Sequence, residues 1–301
     1  MRPERPPDSH DPLARALAEV AAQRSGENFP VALRILPAAA RRHLMAVYGY
    51  ARLVDDLGDE APGDRLALLA AVDADLGRLF AGAQPRIPVV AALAGPVRDR
   101  GLPPEPLRAL LAANRQDQTV TRYPTYADLR AYCVLSANPV GQLVLYLAGA
   151  ARPDRLVWSD DVCTALQIIE HLQDVGEDYR MGRVYLPQAD LAEFGVTEVD
   201  LAAPAAPPAL RRLVAFEAAR AAALLDSGRP LVASLRGWAR VAVAGYVAGG
   251  RAAVAALARG GHDPLGQPVR PARSRVLLEM VRLLPARPAR RPPRPVPGRS
   301  A

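Results

Sequence analysis

Gln167-Ile168-Ile169-Glu170-His171-Leu172-Gln173-Asp174-Val175-Gly176-Glu177-Asp178 is the stretch on which the fold turns. Glu170, Asp174 and Asp178 recur every four residues, a spacing that stacks them along one face of a helix. Leu166, Ile168, Ile169 and Leu172 make the rest apolar, so the segment reads as one long amphipathic helix over Asp160–Gly176 that faces an interior. Like charges at this spacing cost a helix about 0.2–0.5 kcal/mol when exposed, and more when buried. A divalent cation is the usual offset: magnesium takes oxygen ligands, one or two carboxylates completed by waters and substrate phosphates.

The same spacing occurs far upstream in Asp55-Asp56-Leu57-Gly58-Asp59-Glu60. Taken alone, this run is explained as an acidic patch on a solvated helix end. Two such patches in one helical chain suggest a facing pair that clamps metal ions around a diphosphate. Basic and hydroxyl partners stand nearby in sequence: Arg52 one turn before Asp56, Tyr48 one turn before Arg52, and Arg180 and Arg183 after the second patch. Arginine matches phosphate geometry with two parallel hydrogen bonds. For each arginine the plain alternative is an ion pair with a neighbouring acid, and for Arg180 that alternative is favoured.

Outward from these patches the chain reads as all-α. Helical periodicity covers Pro12–Arg24, Ala38–Leu57, Asp64–Ala81, Ile87–Asp99, Pro106–Asn114 and Tyr126–Leu135. It continues through Val140–Gly149, Leu210–Leu225, Pro230–Ala258 and Arg273–Leu284, with a loop over Gly182–Pro187. No sustained period-two alternation bounded by hairpin turns is found, nor any internal repeat. Ala202–Pro208 is read as a surface loop rather than a linker. The division expected is a loose leader over 1–11, one domain over 12–284, and a Pro/Arg-rich tail over 285–301.

The composition agrees: half of the 301 residues are hydrophobic and aromatics make up only 5%. Ala, Leu and Arg dominate, which favours helix over strand. Every one of the 38 basic residues is Arg, a bias that weakens any argument from arginine number. Much of the net charge of +7 sits in the tail, where 285–301 holds five arginines and no acid. Such a segment builds no core and is expected to be disordered and solvated; contact with anionic lipid is the alternative. Cys133 and Cys163 are too few for a disulfide framework and suit a reducing compartment. The first residues lack the basic start and apolar run of a signal peptide, and no uninterrupted apolar stretch reaches about 18–20 residues. A cytoplasmic protein is expected, at most peripheral at the inner face of the cell membrane.

Two quoted runs carry a family resemblance. Tyr48-Gly49-Tyr50-Ala51-Arg52-Leu53-Val54-Asp55-Asp56-Leu57-Gly58-Asp59 resembles the first aspartate-rich motif of the squalene/phytoene synthases. Gln167 through Asp178, with Gly182-Arg183-Val184-Tyr185-Leu186-Pro187, is similar to the second motif and its trailing loop. The resemblance runs from about Ala21 to Leu284. It implies a single-domain isoprenoid-synthase helical bundle around a central hydrophobic cavity, with both acidic motifs at its mouth. It also implies two or three Mg²⁺ ions held by Asp55, Asp59, Glu170, Asp174 and Asp178, the four aspartates being the catalytic set. Asn28, Phe29, Tyr48, Arg52, Gln167, Arg183 and Tyr246 are the implied substrate-binding residues. Val140, Leu143, Leu147 and Ile168 are candidates for the cavity wall and equally for the core.

Three further segments, Glu27–Ala32, Arg115–Tyr123 and Ser136–Gly141, are similar to the hydroxysqualene-synthase branch of bacterial squalene and hopanoid biosynthesis. That branch takes presqualene diphosphate and water to hydroxysqualene and pyrophosphate. One departure stands out: Glu170-His171 replaces the Asn-Phe usual in the family, whose Asn is a metal ligand. Glu170 keeps an oxygen donor there, and His171 reads as a packing residue rather than a base. Gly245–Gly250 lacks the strand–turn–helix setting of a dinucleotide site, so no NADPH is expected and water is the terminating reagent.

The rival readings are a condensing synthase that joins two allylic diphosphates into presqualene diphosphate or phytoene, and a non-catalytic assembly protein. The intact aspartates oppose the second. The expected partners are a prenyl diphosphate and neighbouring pathway enzymes; without stacking aromatics or a folded basic motif, nucleic acid is not one.

Overall fold

The computed structural model describes residues 36–266 and 271–284. The expectations placed on 1–11, Pro12–Arg24, Asn28, Phe29 and 285–301 lie outside them. The described elements are α1 (Ala38–Asp59), α2 (Arg65–Phe80), α3 (Pro88–Ala92), α4 (Ala94–Arg100), α5 (Pro104–Gln116), α6 (Tyr126–Ser136) and α7 (Asn138–Leu147). They continue with α8 (Pro153–Gln173), α9 (Val175–Arg180), α10 (Gln188–Phe194), a 3₁₀ turn (Glu198–Ala202), α11 (Pro208–Ser227), α12 (Arg229–Ser234), α13 (Gly237–Arg259) and α14 (Arg273–Leu283). Among the described residues there is no strand, only an isolated bridge between Arg122 and Val184. The fold is all-α, as expected.

The helix ends follow local chemistry. Asp64 caps α2 by accepting from the Ala67 N–H at 2.9 Å. Thr125 and Asp128 form a reciprocal capping box at the start of α6. Prolines occupy the first turns of α3, α5, α7, α8, α11 and α12, where a missing N–H costs nothing. Three expected helices are divided. Ile87–Asp99 becomes α3 and α4, and Pro230–Ala258 becomes α12 and α13, split where Gly237 adopts φ 58°. The third break falls at Asp174 and belongs to the site.

Two apolar cores lie side by side. Val47, Tyr50, Val54 and Leu57 turn one stripe of α1 against Leu69, Val72 and Leu76 of α2, Leu107 and Leu111 of α5, and Leu143 and Leu147 of α7. The second core joins Ala165, Ile168, Ile169 and Leu172 of α8 to Leu213 and Ala221 of α11 and Ala244 and Val247 of α13. Leu143, Leu147 and Ile168 are therefore core residues rather than cavity wall, each at most 2% exposed. Of the four wall candidates, only Val140 stands exposed.

A polar seam joins α7 to α8. Thr164 Oγ1 donates to Asn138 Oδ1 at 2.9 Å, and Gln142 Nε2 donates to Asp160 Oδ1 at 2.9 Å. The helices approach closely at Gly141, where a Cβ would lie 2.4 Å from Ser159 Oγ and 2.5 Å from Cys163 Sγ. Among the described helices, α13 alone is long and apolar enough to cross a membrane, yet half of its most apolar stretch is buried in the bundle. Its apolarity is explained by packing against α8, α11 and α14.

Candidate active site

The first acidic motif forms the last turn of α1, and its aspartates point in different directions. Asp56 is buried and pairs with Arg52 at 2.7 Å. Asp55 and Asp59 keep the shared face that their spacing implies. Asn114 Nδ2 of α5 donates to Asp55 Oδ1 at 3.2 Å. Burial pushes the Asp55 carboxyl up to about 6; the Asn114 hydrogen bond opposes the rise, and the charges of Asp59 and Asp56 add to it. Water reaches Asp55 from the side it exposes, while protein atoms crowd its other sides.

Gly58 makes this arrangement possible. A Cβ at Gly58 would lie 2.0 Å from Asn114 Oδ1, so the amide can cross the helix only over a glycine. The Gly58 carbonyl in turn accepts from Gln118 Nε2 at 2.9 Å and Arg65 Nη1 at 3.2 Å.

The second motif is not one straight helix. α8 ends at Gln173, Asp174 leaves helical geometry at φ −107° and ψ 14°, and α9 begins at Val175. Two hydrogen bonds carry the ladder across the break: Asp174 N–H to Glu170 O at 3.0 Å, and Asp178 N–H to Asp174 O at 2.8 Å. Val175 turns into the core, and Gly176 packs its bare backbone against Leu265, where a Cβ would be 3.0 Å away. Glu170 is exposed and Asp174 half-buried. Burial, then the charges of Asp178 and Glu170, raise the Asp174 carboxyl above the ordinary range.

Asp178 points inward. Its Oδ2 is buried without a hydrogen-bond partner and lies 3.8 Å from His171 Nδ1. Gln167 Nε2 stands 3.2 Å from His171 Nε2; with this amide orientation His171 Nε2 accepts and the ring proton sits on Nδ1, toward Asp178. His171 stacks on Tyr185 with ring centroids 3.7 Å apart. It thus occupies a packing position, and Gln167 is engaged in orienting it.

Arg183 links the two motifs. Its backbone N–H donates to Asp178 O at 2.8 Å, and its guanidinium donates to Asp59 Oδ1 at 2.9 Å. Burial works against its charge, and the hydrogen bond and charge of Asp59 more than offset this, raising its proton affinity. Beside it, Asp117 accepts from Tyr132 Oη at 2.8 Å. Burial pushes the Asp117 carboxyl up to about 6, against the pull of that hydrogen bond and of Arg183. Asn114, Asp117, Gln118, Tyr132 and Tyr185 were not among the site residues named from sequence; Asp117, Gln118 and Tyr185 stood only inside runs quoted for their family likeness. The Gln118 contact with α1 spans 60 residues, and that of Asn114, just before the run Arg115–Tyr123, spans 59.

Both Arg52 and Arg183 form the ion pairs that sequence alone left as an alternative, whereas no ion pair of Arg180 is found among the described residues. Arg180 instead lines a cavity of about 670 Å³ with Arg122, Gln173, Asp174, Glu177 and Glu198. That cavity touches no residue of the first motif and excludes Asp178, so it is not the space between the motifs. Tyr48 of α1 and Tyr246 of α13 are exposed.

The sequence profile of the squalene/phytoene synthases matches residues 22–282. The chain belongs to the squalene/phytoene synthase family. Hydroxysqualene synthase of Rhodopseudomonas palustris is 38% identical over 216 residues, covering 70% of this chain and 72% of the relative. Presqualene diphosphate synthase of the same organism is 35% identical over 188 residues, covering 62% and 67%. The solved squalene synthase HpnC of Alicyclobacillus acidocaldarius superposes with a TM-score of 0.76 at 41% identity, covering 83% of this chain and 95% of that one.

Members of this family process prenyl diphosphates, and the acids of this chain suit the magnesium such a ligand brings. Among the described residues no three acidic, histidine or cysteine side chains converge into a closed metal site. Magnesium does not require one: it binds through one or two carboxylates and completes its shell with water and phosphate oxygens. Asp55 and Asp174, both raised by burial and like charge, and Asp178, with a buried unpaired oxygen, would each gain from a cation.

Proposed function

We propose that this synthase ionises presqualene diphosphate and lets water capture the resulting cation, giving hydroxysqualene and pyrophosphate. The observation that carries the reading is the Arg183 link: its guanidinium donates to Asp59 of the first motif and its backbone N–H donates to the Asp178 carbonyl of the second, so one residue ties the two motifs together. In this reading Asp55, Asp59, Asp174 and Asp178, with Glu170 beside them, would hold two or three Mg²⁺ ions, whose chemistry when bound would be to neutralise charge on the departing diphosphate.

The chain's own groups do the rest. Arg183 and Arg52 present fork-shaped donors to phosphate oxygens, each exchanging its carboxylate partner for the ligand. Asn114 and Gln118 hold Asp55 and the Gly58 carbonyl in place, so the acidic face is preorganised. The carbon–oxygen bond to the diphosphate breaks with its electron pair on the leaving group. A water oxygen then bonds to the cation and releases one proton, so no reductant is consumed. Exposed apolar side chains such as Val140 and Tyr246 are the surfaces offered to the hydrocarbon chain. Cytoplasmic placement and handling of the product by a neighbouring pathway enzyme belong to the same reading.

The likeness to a presqualene diphosphate synthase favours a second reading, condensation of two allylic diphosphates. One experiment separates them. The purified chain is incubated with Mg²⁺, without NADPH, and with either presqualene diphosphate or farnesyl diphosphate, and the lipid products are identified by mass. Hydroxysqualene from the first substrate supports the proposal; presqualene diphosphate from the second, with no turnover of the first, assigns the chain to the condensing branch.

A further inference from the structure

The loop from α9 to α10 hangs by main-chain hydrogen bonds on the segment that precedes α6. Val184 N–H donates to Thr121 O at 2.9 Å, Gln188 N–H to Tyr123 O at 2.9 Å, and Ala189 N–H to Pro124 O at 3.0 Å. Arg122, opposite Val184 in the isolated bridge, adds a side-chain clasp. Its Nε and Nη2 donate to Glu198 Oε1 and Oε2 at 2.6 and 2.9 Å. Its Nη1 donates to both Thr121 O at 2.9 Å and Gly182 O at 2.6 Å, so one amino group joins the two segments. Glu198 opens the 3₁₀ turn, whose start is fixed by the Thr197–Asp200 capping box.

Gly182 is where this clasp bears on the site. Its φ of 83° lies in the left-handed region, where glycine has no Cβ to restrict it, so hydrogen bonds must set the peptide that leads into Arg183. Arg122 holds the Gly182 carbonyl, and the next amide, Arg183 N–H, is held by Asp178 O at 2.8 Å. The Arg122–Glu198 pair is itself partly exposed, and such pairs add little to stability. We propose that Arg122, squared by Glu198, is a positioning residue: by fixing the Gly182 carbonyl it sets the direction in which the Arg183 side chain leaves the backbone toward Asp59. This rests on the reading above, in which Arg183 receives a phosphate. Lysine could not replace Arg122, because a single ammonium lacks the planar fork that meets the Glu198 carboxylate and the two carbonyls together.

The test is a double-mutant cycle on the full chain, read by calorimetric titration with inorganic pyrophosphate in the presence of Mg²⁺. R122A should weaken binding by ~10-fold, and R122K, which keeps the charge and disturbs the fold least, should weaken it nearly as much. R183A alone should weaken binding by ~10-fold or more, and adding R122A to it should cost less than ~2-fold further, because Arg122 acts only through Arg183. As a second readout, the Arg183 and Val184 amides should exchange hydrogen faster by ~10-fold in R122A and R122K, with exchange in α5 and α13 unchanged. An equal loss from R122A with and without Arg183, wild-type binding by R122K, or unchanged exchange at Arg183 and Val184 would overturn the proposal. Wild-type binding by R183A would overturn it as well, and faster exchange in R122K would then show that the phosphate reading of Arg183 is at fault rather than the clasp.

Discussion

Arg183 and Asp59 are 124 residues apart in sequence and 2.9 Å apart in the fold. The guanidinium is mostly covered, whereas half of the Asp59 side chain is open to solvent. An exposed partner makes the pair weak as a stabilising contact, about 0–1 kcal/mol. In the proposed clamp the Arg183 guanidinium would offer a fork to a phosphate beside Asp59.

Replacing that fork should therefore harm turnover far more than folding. Arg183→Lys keeps the charge and loses the two-pronged geometry, and should lower kcat/KM for presqualene diphosphate by ~10-fold or more. Arg183→Ala should cost on the order of 100-fold, or about 2.7 kcal/mol of transition-state stabilisation. Melting temperatures should stay within a few degrees of wild type. Wild-type kinetics for Arg183→Ala would remove the arginine from the site.

Gly58→Ala has a sign that discriminates. On an unobstructed helix this change stabilises by up to about 1 kcal/mol. Here the new methyl meets Asn114 Oδ1 at 2.0 Å, displacing the amide that holds Asp55. The variant should be destabilised by roughly 1–3 kcal/mol in denaturant unfolding and should lose activity. A raised unfolding midpoint would show that Asn114 moves aside at no cost.

Much of the scaffold was readable because helices announce themselves through periodicity and caps. The stripe Val47, Tyr50, Val54 and Leu57 on α1, the cap at Asp64 and the box at Thr125–Asp128 are local patterns. The break at Asp174 was not readable, since backbone hydrogen bonds run through it and leave the four-residue acidic spacing intact. Nor was the inward turn of Asp178 toward His171. Sequence alone also could not separate wall from core on α7 and α8, where apolar residues occupy more than one face and only the neighbouring helices decide which are sealed. Asn114 and Asp117 were silent for a different reason: their partners lie on other helices, and nothing near them in the chain marks them as polar groups facing inward.

Asp117 gives a pH signature. Burial lifts its carboxyl from the ordinary value to about 6, so between about pH 4 and pH 6 the folded chain keeps a proton that the unfolded chain releases. Bound protons then favour the fold, and stability contributed by this group falls as pH rises through that window. Asp117→Asn retains an acceptor for Tyr132 and has no charge to bury. It should be more stable than wild type by roughly 1–2 kcal/mol above pH 6, with the difference vanishing near pH 4. Unfolding curves at pH 4 and pH 7 check this, and a pH-independent difference would contradict it.

Glu170 lies close enough to Asp174 for its charge to raise that carboxyl, and it is exposed. If it contributes an oxygen to the cation, Glu170→Ala should raise the Mg²⁺ concentration for half-maximal rate by ~10-fold, or about 1.4 kcal/mol. Glu170→Asn, which restores the residue usual in the family, should be milder. Unchanged Mg²⁺ dependence in both would leave Asp174 and Asp178 as the only ligands of the second motif.

The clamp itself is tested most directly by calorimetric titration of the protein with inorganic pyrophosphate, with and without Mg²⁺. Wild type should bind pyrophosphate only when Mg²⁺ is present. Asp55→Asn and Asp174→Asn should each weaken that binding by ~100-fold or more, about 2.7 kcal/mol, while unfolding no more easily than wild type because each relieves like-charge crowding. Pyrophosphate binding of equal strength without Mg²⁺, or undiminished in either variant, would contradict the two-motif clamp.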